Sequence, residues 1–276
     1  MEKAGSLLFA CLLCAWVRTT AAASAAENVF LLAGQSNMAG RGGVRNDSAR
    51  GVLVWDGFVP VECQPDPRIL QLSLDLEWID AREPLHREID ANRTNGVGPG
   101  MAFAHKLLND EPRIGIIGLV PCAFGGSKIT HWLRGGRLYT QMIKRAEASV
   151  RLGGRIRGLL WFQGGADTDK QDDADCYRCF LLKFFTDVRE DLGIPDLPII
   201  QVAIAPGKRP FSKTVRKAQL SMNLTKVTTL DSKNLPVGPD NVHLTTKSQV
   251  ILGQRFAKAY INLTRGNPGH GYRDAW

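Results

Sequence analysis

The sequence predicts an α/β protein with a parallel central sheet and helices on both faces, and two observations support this. Five mostly apolar segments that read as strands alternate with segments whose apolar residues recur at helical spacing. The strand segments are apolar without alternation, which is typical of strands buried on both faces of a parallel sheet. Alternation of strand and helix then gives a doubly wound sheet with right-handed crossovers.

The predicted elements follow in chain order. The strands are Val29–Ala33, Arg113–Val120, Ile156–Phe162, Ile199–Ile204 and Val227–Leu230. The helices are Met101–Leu108, Tyr139–Arg151, Tyr177–Leu192, Val215–Leu224 and Thr245–Leu263. Residues 41–99 are richer in Gly, Pro, Asp and Arg, and we interpret them as a long irregular insertion that contains short strands. No linker or internal repeat divides the chain, so residues 27–276 are expected to form one domain.

Residues 1–26 are typical of a signal peptide rather than of the fold. Lys3 precedes the apolar run Leu7–Val17, and the small residues Ala21–Ala26 offer a cleavage site, expected within Ala23–Ala26. The run is too short to span a bilayer, so we expect secretion, with the cell wall as the destination, and no membrane anchor.

Two features agree with a secretory route. N-x-Ser/Thr sequons, the acceptor signal for N-glycosylation, occur at Asn46, Asn92, Asn223 and Asn262. Outside the signal peptide the cysteines are Cys63, Cys122, Cys176 and Cys179. Four cysteines allow three disulfide pairings, and free thiols are the other reading. The C-x-x-C spacing of the last two lacks a second ligand pair, which disfavours zinc binding.

The chain is basic, with a formal net charge of +8. Residues 1–26 carry +1 of this through Lys3, Arg18 and Glu2, which leaves +7 for the predicted mature chain. The basic residues are scattered without a dense cluster or interleaved aromatics, so nucleic-acid binding is not expected. Attraction to an acidic matrix such as a pectic wall is compatible with this charge.

Candidate catalytic side chains follow the strands, where ligands bind in open α/β sheets. Ser36 lies in a glycine-rich turn after the first strand, where backbone N–H groups could face a developing oxyanion. His243 precedes the last helix, and Asp240 three residues earlier could fix its tautomer. Each pattern alone has a structural reading, a helix cap for Ser36 and a surface loop for Asp240 and His243.

Two further loops offer hydrogen-bond donors. The paired glycines Gly125 and Gly126 follow the second strand and could bring a backbone amide close to a ligand. Gln163 follows the third strand and could donate its side-chain amide to a substrate oxygen. Each loop could equally be a plain glycine turn.

Together these segments resemble the SGNH hydrolase superfamily, and within it the plant carbohydrate esterase group related to sialate O-acetylesterases. The matching segments are 29–43, 83–86, 96–101, 117–123, 160–164, 198–205 and 240–246. They span essentially the whole predicted mature chain.

The resemblance implies a secreted serine esterase, a carboxylic ester hydrolase that removes small acyl groups, chiefly acetyl, from carbohydrate. It implies Ser36 as nucleophile, His243 as general base and Asp240 as orienting acid. The oxyanion hole would comprise the Ser36 amide, an amide of Gly125 or Gly126, and the Gln163 side chain. The implied fold is a three-layer α/β/α sandwich of the flavodoxin-like type with a five-stranded parallel sheet, and no metal or organic cofactor is implied.

Two departures from the group pattern qualify this picture. The third-strand motif, usually Gln-Gly-Glu-Ser-Asp, reads Gln163-Gly164-Gly165-Ala166-Asp167, so a Glu proposed in some members to support the catalytic His is absent. Phe124 stands where a small residue is more usual. A carbohydrate-binding pseudoenzyme with weakened catalysis, and a transacylase that uses the same three residues, are therefore the alternative hypotheses.

Overall fold

The computed structural model describes residues 25–207 and 209–265. The predicted signal peptide, residues 1–26, lies almost entirely outside these residues, and its cleavage stays a prediction. Within the described residues, no helix is long and apolar enough to cross a membrane.

Most of the strands join one central sheet. The nine strands are β1 (Asn28–Gly34), β2 (Val44–Asp47), β3 (Val52–Trp55), β4 (Ile69–Leu72), β5 (Trp78–Asp80), β6 (Ile117–Pro121), β7 (Arg155–Phe162), β8 (Ile199–Ala203) and β9 (Val227–Asp231). The sheet has the order β5-β4-β6-β1-β7-β8-β9, and its neighbours pair in parallel except for β4 with β5. Strands β2 and β3 form a separate antiparallel hairpin.

The expectation of five strands in the sheet is wrong, because the described sheet has seven. Both additional strands come from the 41–99 insertion. Strand β4 extends the parallel sheet by pairing Ile69 with Ile117 and Gln71 with Leu119. Strand β5 adds an antiparallel edge. A four-residue strand and a three-residue strand inside a Pro- and Asp-rich segment are too short for a periodicity argument to detect.

Helices cover both faces of the sheet. They are α1 (Ser36–Ala39), α2 (Gly100–Asp110), α3 (Arg137–Arg151), α4 (Gln171–Asp191), α5 (Ser212–Leu220) and α6 (Thr246–Thr264). Apolar residues of α2 and α6 form one core, and those of α3, α4 and α5 form the other. Phe30 and Leu32 of β1 belong to the first core, while Val29 and Leu31 belong to the second. Both faces of β1 are therefore buried, which explains its uniformly apolar sequence.

Aromatic side chains anchor the two cores. In the first, Phe30 makes edge-to-face contacts with Phe103 of α2 and Tyr260 of α6, with ring centroids 4.8 and 4.9 Å apart. In the second, Trp161 of β7 lies against Trp132 at 5.1 Å and Phe184 of α4 at 4.5 Å. Such pairs stabilise a core beyond the area they bury, so they fix helices on both sides of the central strands.

All four cysteines in the described residues are free thiols. Cys63 and Cys122 are buried on opposite faces of the sheet, in different cores, so the sheet separates them. Cys176 and Cys179 are exposed and lie inside α4, which begins at Gln171 rather than at the predicted Tyr177.

Candidate active site

The turn after β1 places Ser36 at the carboxyl edge of the sheet. Gly34 ends the strand with φ of +132°, and a Cβ atom there would lie 2.2 Å from the carbonyl oxygen of Phe162. Only glycine therefore fits this position. The chain then enters α1, whose first residue is Ser36, largely buried with 7 % of its surface exposed. The amides of Met38 and Ala39 donate to the carbonyl of Gln35, each at 2.9 Å, whereas the Ser36 amide, at the first position of the helix, makes no hydrogen bond within the described residues.

Ser36, His243 and Asp240 form one hydrogen-bonded chain. The Ser36 Oγ lies 2.9 Å from His243 Nε2, and His243 Nδ1 lies 2.6 Å from Asp240 Oδ2. An ionised carboxylate can only accept, so Nδ1 carries the imidazole proton and donates it to Asp240. Nε2 then accepts the hydroxyl hydrogen of Ser36. In this geometry a histidine can take the proton of an attacking serine.

Asp240 is held in its ionised form. Its Oδ1 accepts hydrogen bonds from the backbone N–H groups of Val242 and His243, each at 2.9 Å. Partial burial acts to raise the pKa of Asp240, but these two donors and the His243 side chain outweigh it, and the pKa lies below its usual value. The loop therefore presents an ionised carboxylate to His243 at neutral pH.

Asn37 connects the serine turn to the histidine loop. Its Oδ1 accepts the backbone N–H of Leu244 at 2.9 Å, and its Nδ2 donates to the carbonyl of Val242 at 3.3 Å. Gln249 of α6 donates to the Asn37 carbonyl at 3.1 Å. These bonds bracket His243 on both sides. No sequence pattern predicts this role, because a residue beside a candidate nucleophile carries no local sign of a partner some two hundred positions away.

The structure corrects the expected role of Gln163. This side chain is fully buried, and its Nε2 donates to the carbonyl of Ser127 at 2.8 Å and to Asp167 Oδ2 at 2.6 Å. Its Oε1 accepts the hydroxyl of Tyr177 at 2.9 Å. An amide nitrogen has two hydrogens, and both are engaged, so none is left for a substrate oxyanion. Gln163 instead joins the loops that follow β6 and β7.

Gly125 and Gly126, in the loop that follows β6, differ in whether their backbone amide is free to bind a substrate oxyanion. The Gly125 amide donates to Asp90 Oδ1 at 3.1 Å, so it is engaged inside the protein, contrary to one of the two expected alternatives. Gly126 is exposed with φ of +72°, and its amide makes no hydrogen bond within the described residues. Because the Phe124 amide donates to the carbonyl of Gly34 at 2.9 Å, this loop lies beside the serine turn. The Ser36 and Gly126 amides are thus the expected donors that stay available.

A buried ion pair supports the glycine loop. Arg41 Nη2 lies 2.5 Å from Asp90 Oδ2, and Arg41 Nη1 donates to Asn95 Oδ1 at 2.7 Å and to the carbonyl of Gly40 at 2.8 Å. Arg41 and Asp90 are 7 % and 0 % exposed. Asp90 therefore links the chain just after α1 to Gly125. No sequence pattern predicts this pair, because both residues lie in the irregular 41–99 segment.

The loop that follows β7, where Gly165 replaces the usual Glu, places no carboxylate against His243. Gly165 has no side chain, and Asp240 is the carboxylate that contacts His243 within the described residues. Asp167 is buried and accepts the backbone N–H of Ile129 at 3.1 Å, and burial raises its pKa to about 6. Gln35 ties the same loop to the serine turn by accepting the amides of Gly164 and Ala166, each at 3.3 Å. Among the described residues no cluster of three or more His, Cys, Asp or Glu side chains could hold a metal.

A doubly wound sheet with a Ser–His–Asp chain at its carboxyl edge has the architecture of a serine hydrolase. The sequence model of the family described as "Carbohydrate esterase, sialic acid-specific acetylesterase" matches residues 26–262, and the chain belongs to this family. The resemblance predicted from the sequence is thereby confirmed. Family membership places the chain among carbohydrate acetylesterases, which are carboxylic ester hydrolases acting on acylated carbohydrate.

Individual relatives agree with this assignment. A probable carbohydrate esterase of Arabidopsis thaliana is 49 % identical over 237 residues, which cover 86 % of this chain and 91 % of that protein. The crystal structure of an Arabidopsis thaliana protein, At4g34215, has a TM-score of 0.83 at 48 % identity and covers 86 % of this chain and 98 % of its own. NanS shares the fold at 18 % identity, with a TM-score of 0.68 over 88 % of this chain and 99 % of its own.

Proposed function

We propose that this protein is a secreted serine esterase that removes small acyl groups, chiefly acetyl, from carbohydrate. The observation that carries the proposal is the continuous hydrogen-bonded chain from Ser36 through His243 to Asp240, with distances of 2.9 and 2.6 Å. Family membership indicates an acylated carbohydrate as the substrate. The geometry supports Ser36 as the nucleophile, His243 as its base and Asp240 as the group that orients the base.

The proposed reaction has two stages. Ser36 Oγ attacks the ester carbonyl while His243 Nε2 takes the hydroxyl proton, and the resulting oxyanion accepts N–H bonds from Ser36 and Gly126. The C–O bond to the sugar then breaks, and His243 returns the proton to the leaving sugar oxygen. In the second stage His243 deprotonates a water that attacks the acyl-serine, which releases the carboxylic acid and restores Ser36.

Replacing the nucleophile tests this proposal. We expect the purified chain without residues 1–26 to hydrolyse p-nitrophenyl acetate and acetylated sugars, and Ser36→Ala to lower kcat by at least about 10³-fold. Ser221→Ala is the matched control, since Ser221 is exposed and its hydroxyl bonds only to the Ala218 carbonyl. Equal rates for Ser36→Ala and the wild-type protein would refute the assignment of Ser36.

The two alternative functions are separable by other measurements. Gly165 and Ala166, in place of the usual Glu-Ser, are the reason to consider a weakened enzyme that only binds carbohydrate. Covalent labelling of Ser36 by a fluorophosphonate probe would exclude a dead nucleophile. A transacylase would transfer acetyl to an added glycan acceptor, so product analysis with such acceptors would separate it from a hydrolase.

Surface asparagines support the secretory part of the proposal. The sequon residues Asn46, Asn92, Asn223 and Asn262 are all exposed, so each is accessible to glycosylation. The full chain expressed in plant cells should appear in the medium or cell wall, with a mass that falls on endoglycosidase treatment. Retention inside the cell without glycan would contradict secretion.

A further inference from the structure

A cavity of about 320 Å³ opens beside the Ser36–His243 pair. Its walls come from loops at the carboxyl ends of β7, β8 and β9. Gln35 and Asn37, the neighbours of Ser36, line one side, and Asp240 and Val242 of the histidine loop line another. The cavity therefore adjoins the proposed reacting atoms but is not formed by them.

The cavity is lined by both apolar and polar residues. Phe162, Ile204, Ala205, Val237 and Leu244 contribute apolar surface. Gly165 also lines the cavity and places no side chain in it. A Cβ atom at Gly165 would lie 2.8 Å from the Gln35 Nε2 atom, so the missing side chain leaves this wall open.

We propose that this cavity binds the sugar ring on the leaving-group side of the ester, an inference that rests on the proposed function. A volume near 320 Å³ falls in the range of small-molecule sites and far exceeds what an acetyl group needs. Once the acetyl carbonyl is held at Ser36, the remaining part of the substrate is the sugar. A pyranose ring has apolar C–H faces and hydroxyl groups at its edge, which suit a cavity lined by both apolar and polar residues.

The polar lining residues offer both acceptors and donors for sugar hydroxyls. The hydroxyls of Thr168 and Ser212 donate to backbone carbonyls at 2.7 and 3.0 Å, so their oxygen lone pairs can accept from a ligand. Arg209 gives one nitrogen to Asp169 at 2.6 Å, and a guanidinium has five N–H donors in total. Gln35 adds a side-chain amide. These polar groups can orient a neutral sugar ring through hydrogen bonds.

Filling the cavity tests the inference. Ala205→Trp and Gly207→Trp each place an indole in the cavity wall, and a Cβ atom at Gly207 would meet nothing nearer than 4.0 Å, so the second variant is compatible with the fold. Ala49→Trp, in the exposed turn between β2 and β3, is the matched control. The substrates are glucose pentaacetate, which carries the ring, and ethyl acetate and ethyl benzoate, which do not.

We expect both cavity variants to lower kcat/KM for glucose pentaacetate at least about tenfold, to leave ethyl acetate within about twofold, and Ala49→Trp to change neither. Equal effects of the cavity variants on glucose pentaacetate and ethyl acetate would overturn the sugar assignment. A selective loss of ethyl benzoate hydrolysis would also overturn it, because the cavity would then be the site of the acyl group. Failure of the wild-type protein to hydrolyse either acetate would instead refute the proposed function itself, and with it the inference.

Discussion

At the scale of single residues, the support of His243 depends on Asp240. Its Oδ2 lies 2.6 Å from His243 Nδ1, and the loop that follows β7 presents Gly165 in place of a second acid. Asp167, the remaining acid of that loop, is buried against Ile129 and Gln163. No reserve carboxylate for His243 is therefore visible in the described part of the chain.

The first prediction at this scale concerns Asp240. We expect Asp240→Asn to lower kcat for acetyl ester hydrolysis by about 10⁴-fold, because an asparagine can stabilise the wrong imidazole tautomer and cannot balance an imidazolium charge. Asp167→Asn is the comparison, and its effect on kcat should be below about tenfold. A larger loss from Asp167→Asn than from Asp240→Asn would show that the acid assignment is wrong.

Sequence patterns located Ser36, His243 and Asp240, and the structure brings all three within hydrogen-bond distance of one another in series. They did not show that Gln163 and Gly125 are engaged elsewhere. Two of the partners that engage them, Ser127 for Gln163 and Asp90 for Gly125, are distant in sequence and carry no motif, although Asp167, the other acceptor of the Gln163 amide, lies in the same loop. Strand ends tell which residues can approach the site, but competing internal acceptors decide which donors remain available.

At the scale of elements, the 41–99 insertion both widens the sheet and supports the site. Strands β4 and β5 extend the edge beyond β6, and Asp90 joins Arg41 to the Gly125 amide inside the protein. A buried ion pair stabilises little by itself, since desolvation offsets the attraction, but removing one partner leaves an uncompensated buried charge.

We therefore expect Asp90→Ala to lower the free energy of unfolding by about 3–5 kcal/mol, measured by urea denaturation. The double variant Arg41→Met with Asp90→Leu removes both charges at similar volume. It should unfold with a free energy much closer to that of the wild-type protein. If the double variant is as unstable as Asp90→Ala, the hydrogen bonds to Gly125 and Asn95 carry the stability rather than the charge balance.

At the scale of the whole molecule, the parallel α/β architecture could be predicted because long buried strands such as β1 and β7 leave a continuous apolar signal. The short strands from the insertion could not, since tertiary pairing with β6 rather than local sequence makes Ile69–Leu72 a strand. The start of helix α4 was predicted too late, because its first turn is polar and carries no apolar periodicity. The acidic residues in that turn, Asp172 and Asp173, nevertheless favour a helix N-terminus and explain why the helix begins at Gln171.

The stability of the molecule should fall with rising pH because of Glu83. Its carboxyl oxygens accept the amides of Leu85 and Gly98, but burial dominates and raises its pKa from an ordinary 4.5 to about 8. A raised pKa in the folded state means that the folded protein holds the proton more tightly than the unfolded chain. This contribution is present in full below pH 4.5 and is lost as the pH rises through about 8.

Urea denaturation from pH 5 to pH 9 measures this decline. In Glu83→Gln the decline of the unfolding free energy across this range should become shallower. Glu147→Gln, on the exposed face of α3, should keep the wild-type slope. An unchanged slope in Glu83→Gln would place the pKa of Glu83 near its ordinary value.

The Asn37 bonds and the Ser36–His243 contact have a consequence for folding kinetics. They join positions 205 to 212 residues apart, so the chain must close a very long loop before the reactive pair exists. Contacts of such high sequence separation form slowly. Because Gln249 of α6 donates to the Asn37 carbonyl, we expect the histidine loop to be fixed only when α6 has docked. Recovery of esterase activity during refolding should thus lag behind the recovery of helical circular dichroism.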